Sequence, residues 1–77
     1  MLEDLGVPRT RVRIMRFFAN EGEVEIGVRE LARALRINAG NVQRELARLT
    51  DLGLLTRSDS VYSKSKKLVE LAKKIEL

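Results

Sequence analysis

Asn41, Gln43, Arg44 and Arg48 put two carboxamides and two guanidinium groups within one short stretch of chain. A carboxamide sets a donor beside an acceptor and can meet the edge of an adenine. A guanidinium presents parallel donors that fit guanine O6 and N7. Gly40, immediately upstream, lets the backbone approach a phosphate closely, and the free N–H groups of a helix start favour an anion there. Arg48, one turn beyond Arg44, is assigned to a phosphate rather than a base. Arg36 upstream, Arg57 and Lys64 downstream, and the Lys66 and Lys67 that follow them would add affinity rather than sequence reading. Arg36, Gly40, Asn41, Gln43, Arg44, Arg48, Arg57 and Lys64 are therefore the candidate contacts to a duplex.

Each of these residues also has a plainer reading. Arg44 and Arg48 are four apart with Glu45 between them, so either can simply pair with a nearby acid. Asn38 reads as a helix cap, and Tyr62 as a packing residue with a wet hydroxyl. Phe17 and Phe18 read as core or dimer contacts, not as stacking platforms for bases. Glu21, Glu23 and Glu25 crowd an acidic loop whose separated carboxylates read as solvated. The chain has no Cys and no His. That excludes disulfides, thiolate or imidazole metal sites, and Ser-His or Cys-His nucleophiles. No carboxylate pair or phosphate-binding loop stands out, so no enzyme activity, cofactor or metal is expected.

The elements that must position these groups follow from apolar periodicity. Pro8 suits the first turn of a helix or the bend before one. The first helix is expected over Thr10–Asn20, with Thr10 as N-cap and Val12, Met15 and Phe18 on the inner face, widened by Ile14 and Phe17. Residues 1–6 are expected to add a helical turn or to fray. Glu23–Ile26 alternates polar and apolar like a short edge strand. Val28, Leu31, Ala32 and Leu35 then recur at i, i+3, i+4 and i+7 in a second helix. A tight turn leads to Asn38 as N-cap of a third helix, over about 38–52. Its inner stripe is Val42, Leu46 and Leu49, and Gly53 takes the left-handed position that ends it. Leu54–Arg57 and Val61–Lys64 read as two strands about the turn Ser58-Asp59-Ser60, a hairpin wing over about 54–64. The last helix is expected over Ser65–Ile75. Two helices joined by a few residues, the second with a polar outer face, make a helix-turn-helix pattern. A strand before the second helix can join the hairpin in a small three-stranded sheet.

With 77 residues the chain is read as a single domain over 1–77. Its formal net charge is +4, and the excess is unevenly placed. Residues 1–35 carry six Arg against six Asp or Glu, whereas residues 36–77 carry nine Lys or Arg against five acids. A basic half that coincides with the polar-faced helix favours a polyanionic partner; the plain alternative is a solvated Lys/Arg surface. No apolar run approaches the roughly 18 residues of a membrane span. The start of the chain lacks the basic-then-apolar order of a secretory signal. A soluble, cytoplasmic protein is expected.

The segments RVRIMRFF, VRELARAL, NAGNVQRELARLTDLGLL and VYSKSKKL together resemble a winged helix-turn-helix domain of the ArsR-type transcriptional repressor group. The resemblance spans about residues 9–76. It is carried most by R-E-L-A in the second helix and R-E-L-x-x-L-x-x-x-G-L-L at the end of the third. It implies a mainly α fold with a small hairpin wing, a three-helix core and a C-terminal helix. It implies that the third helix is the recognition helix, that the wing touches backbone or minor groove, and that terminal helices make a dimer. Metal sensing is not carried over, because the chain has no Cys or His ligands. One Lys and one Arg in the wing strands argue against deep minor-groove contact.

A sequence-specific double-stranded DNA-binding protein, a homodimeric transcription regulator, is the leading expectation. The homodimer would form through Phe17, Phe18 and the C-terminal helix. Two copies would set their recognition helices about 34 Å apart in successive major grooves. The alternative is a winged-helix protein-interaction or assembly module without DNA binding, since fold does not fix function. Single-stranded RNA readers rely on aromatic platforms that this chain lacks.

Overall fold

A computed structural model describes residues 8–77 of the chain; the expectation for residues 1–6 lies outside them. Helix α1 (Arg9–Asn20) begins directly behind Pro8. Pro8, at φ −54°, takes the N-cap position, and its carbonyl accepts the Val12 N–H at 3.1 Å. Thr10, expected as the cap, lies inside the helix instead. A proline with a preset φ and no N–H to satisfy starts the helix two residues earlier than a hydroxyl cap would.

Helix α2 (Val28–Leu35) and helix α3 (Ala39–Asp51) form the helix-turn-helix. Helix α2 ends with Arg36 in the left-handed conformation, φ 56°, and its N–H returns to the Ala32 carbonyl. Ile37 donates to the same carbonyl at 3.0 Å. The Arg13 guanidinium of α1 donates to the Leu35 carbonyl at 2.5 Å, so a third helix closes the open end of α2. Asn38 caps α3 as expected: its side-chain oxygen accepts from the Gly40 and Asn41 N–H groups at 2.8 and 3.2 Å. At the other end Gly53 has φ 79°, a conformation open to glycine at little cost. Leu54 N–H then returns to the Leu49 carbonyl at 2.9 Å and closes the helix.

Strands β1 (Ile26–Gly27), β2 (Leu55–Ser58) and β3 (Val61–Lys64) form an antiparallel sheet in the order β1-β3-β2. The first strand is shorter than the Glu23–Ile26 alternation suggests. Only Ile26 and Gly27 find ladder partners, Tyr62 and Val61. Glu23 and Glu25 stay exposed. Gly27 is packed so closely that a Cβ there would sit 3.3 Å from the Ser60 carbonyl. The hairpin turns through Asp59 at φ 56°, with Ser58 still in β2.

Helix α4 (Lys66–Ile75) is capped by Ser65, whose hydroxyl accepts from Leu68 N–H and donates to the Gly53 carbonyl at 2.6 Å. Lys67 Nζ donates to the Leu52 carbonyl at 2.9 Å. The end of the wing and the end of α3 are thereby tied together.

The core is aliphatic, as expected from three aromatic residues. Ile14, Met15 and Phe18 of α1 meet Leu31 of α2, Val42, Leu46 and Leu49 of α3, Leu55 and Tyr62 of the sheet, and Leu68 of α4. Phe18 is 0% exposed within its own chain. This corrects its assignment to a dimer contact: the ring is consumed by the core and packs edge-to-face on half-buried Phe17, centroids 5.4 Å apart. Among the described residues, no helix is long and apolar enough to cross a membrane. The whole is a winged helix-turn-helix.

Candidate nucleic-acid interface

Helix α3 buries Val42, Leu46 and Leu49 and turns its opposite side outward. At 3.6 residues per turn, Gly40, Arg44, Ala47 and Asp51 fall near the middle of that outer side. All four are exposed. Asn41 and Arg48 lie on the flank towards α1, and Gln43 on the flank towards the wing. The four polar residues that form one cluster in the sequence thus spread from one flank, through Arg44 near the middle, to the other.

On the α1 side a concave cavity of about 450 Å³ is lined by Pro8, Thr10, Arg11, Asn41, Arg44, Glu45 and Arg48. Glu45 does not pair with Arg44 or Arg48. Its carboxylate accepts from Arg11 Nε at 2.8 Å, across to α1, and both side chains are mostly shielded. Arg44 instead donates to the Asn41 side-chain oxygen, three residues back on the same helix.

On the wing side a smaller cavity of about 130 Å³ is lined by Ala47, Thr50, Asp51, Arg57 and Tyr62. Arg57 is exposed on β2, and its Nε donates to the Asp59 carbonyl at 2.8 Å. Lys64, at the end of β3 opposite Leu55, is half-buried. Arg36 is exposed in the turn before α3. Tyr62 is buried and packs the wing onto the core, as its plainer reading held.

The contribution of α1 was not visible in the sequence. The helix carries four Arg and no acid, an excess that vanishes when it is summed with the acids of the rest of residues 1–35. Only the fold brings Arg11 against the side of α3. Glu21, Glu23 and Glu25 gather no metal site; among the described residues no group of three or more acidic side chains converges.

This geometry suits a duplex in size and chemistry. Helix α3 has 13 residues, and at about 1.5 Å per residue it is about 20 Å long; its width of roughly 10–12 Å matches a major groove about 12 Å wide. A sequence model described as the MarR family matches residues 5–64, which takes in every helix and strand from α1 to the end of the wing. The matched family is thus MarR, not the ArsR-type group that the motifs resemble, while the winged-helix expectation stands. Comparison with curated proteins gave no match, and neither did comparison with solved structures. The chain belongs to the MarR family, whose winged-helix domain is that of a DNA-binding transcription regulator.

Proposed function

We propose that the protein is a sequence-specific regulator, acting in the cytoplasm, that inserts α3 into the major groove of double-stranded DNA and rests its wing on the backbone. The observation that carries this reading is the outer side of α3. Among the described residues nothing covers it, and Gly40, Asn41, Gln43, Arg44 and Arg48 are all exposed there. Arg44 is the base-contacting arginine in this reading, and Arg48, Arg36 and the wing cations Arg57 and Lys64 go to phosphates. The protein-interaction alternative is favoured by acids that neutralise this surface. Glu45 is withdrawn by Arg11, which leaves Asp51 near the middle of the outer side, next to the wing, and Asp59 at the hairpin turn.

A homodimer completes the proposal, because one winged domain covers little DNA. An open, largely apolar groove supports it. The groove is lined by Met15, Leu49, Leu52, Leu54, Leu71 and Ile75, with Arg11 at its edge. Leu52 is 51% exposed there, and Leu71 and Ile75 of α4 are half-buried. Titrating labelled genomic fragments with the protein tests the DNA reading. A specific complex is expected whose affinity falls steeply between about 50 and 200 mM salt. No complex at about 50 mM salt would sink it.

A further inference from the structure

The hydrogen bond between Arg44 and Asn41 changes what this part of α3 can recognise. A guanidinium has donors only, so its partner on Asn41 is the carboxamide oxygen. That oxygen is the acceptor Asn41 would need to take a hydrogen from adenine N6. With it turned to Arg44, Asn41 presents its two Nδ2 hydrogens. Arg44 presents its remaining N–H groups beside them. Among the described residues lining this flank, the one carboxylate, Glu45, is held through Oε1 by Arg11 Nε at 2.8 Å. The Asn41 and Glu45 oxygens are thus each turned to an arginine, and the Asn41 Nδ2 and remaining Arg44 N–H groups are the donors left between them.

Resting on the DNA-binding reading above, we infer that Asn41 and Arg44 act as one donor-only fork that selects guanine, and that Arg44 withholds Asn41 from adenine. In the major groove, guanine offers two acceptors, O6 and N7, and no donor. Adenine offers N7 beside the N6 donor, and cytosine offers a donor. A fork of donors meets the guanine edge without conflict and leaves one of its own groups facing a donor at adenine or cytosine.

In vitro selection of bound duplexes with the whole chain, wild type and three variants, tests this. Wild type is expected to enrich guanine at one position of each half-site. Arg44→Ala frees the Asn41 oxygen, and the preference at that position is expected to move to adenine. The size is that of one bidentate contact, roughly 5- to 150-fold between the two bases. Asn41→Ala weakens the guanine preference, and Arg44→Ala with Asn41→Ala abolishes any preference there. Both residues are exposed, and circular dichroism melts verify that each variant is folded. If folded Arg44→Ala loses affinity equally on all sequences, or if wild type already selects adenine at that position, the fork is wrong while DNA binding stands. If wild type forms no complex with any duplex, the DNA-binding reading fails and the fork falls with it.

Discussion

On the α1 side of α3, three arginines and one glutamate line a cavity of about 450 Å³; on the wing side, one arginine and one aspartate line a cavity of about 130 Å³. The acid on the first side is neutralised from outside the helix by Arg11. The acid on the second side, Asp51, is exposed beside Arg57, whose Nε is already spent on its own turn. The same helix therefore offers a cationic, donor-rich flank and a nearly balanced one. In the proposed DNA-binding reading, affinity and base reading fall to the first flank, and the wing flank orients the domain and adds little charge.

The largest effect should come from emptying the rich flank. Removing both Arg44 and Arg48 as alanines should weaken DNA binding by about 2–4 kcal/mol and lower the salt slope by roughly 1, the signature of the phosphate contact assigned to Arg48. Fluorescence anisotropy at several salt concentrations measures both. An unchanged slope would mean that neither arginine meets backbone.

Next comes the tie between α1 and α3. Arg11→Ala leaves Glu45 mostly shielded and without its cation. A lost charge-assisted hydrogen bond at a partly buried site costs about 1–2 kcal/mol. In a domain of this size that is a fall in Tm of roughly 5–10 °C. DNA affinity should drop as well, since an uncompensated carboxylate now faces the groove. Adding Glu45→Ala removes that carboxylate and should restore affinity and part of the stability. If affinity stays low in the double variant, Arg11 touches DNA itself.

What could be read from the chain alone divides along similar lines. Periodic elements were legible: the Val42, Leu46 and Leu49 stripe, the Asn38 cap and the Gly53 stop are local patterns, and local patterns report local structure. The hairpin followed from two short β-rich runs around Ser58-Asp59-Ser60. The Pro8 start was half-legible, because proline and threonine both signal a helix start and only the packed helix decides between them. The Arg36 left-handed cap was hidden, since an arginine gives no hint of positive φ. The pairing of Glu45 was hidden too. Sequence spacing pointed to Arg44 and Arg48, whereas the partner is 34 residues away on α1. Phe18 was misassigned because an aromatic pair on a broad apolar arc looks the same whether its own core or a second subunit covers it. The candidate site was legible as a list of residue types, but its division into two flanks needed the fold.

The smallest expected effect is the sharpest check on the asymmetry. Arg57 is exposed and sits on the wing strand nearest α3, so on charge alone it should matter as much as Arg48. Its Nε, however, donates to the Asp59 carbonyl, and that holds the guanidinium over the hairpin turn. Asp51 and Asp59 add negative charge close by. Arg57→Ala should therefore change DNA affinity by about 0.5 kcal/mol or less at about 150 mM salt, where an exposed charge is largely screened beyond roughly 8 Å. Base preference should not move. Measuring Arg57→Ala and Arg48→Ala side by side under one salt series decides the matter. Equal losses with equal changes of slope would mean that the Arg57 contact to phosphate is as strong as that of Arg48. The reading of α3 as a helix with one rich and one poor flank would then have to be abandoned.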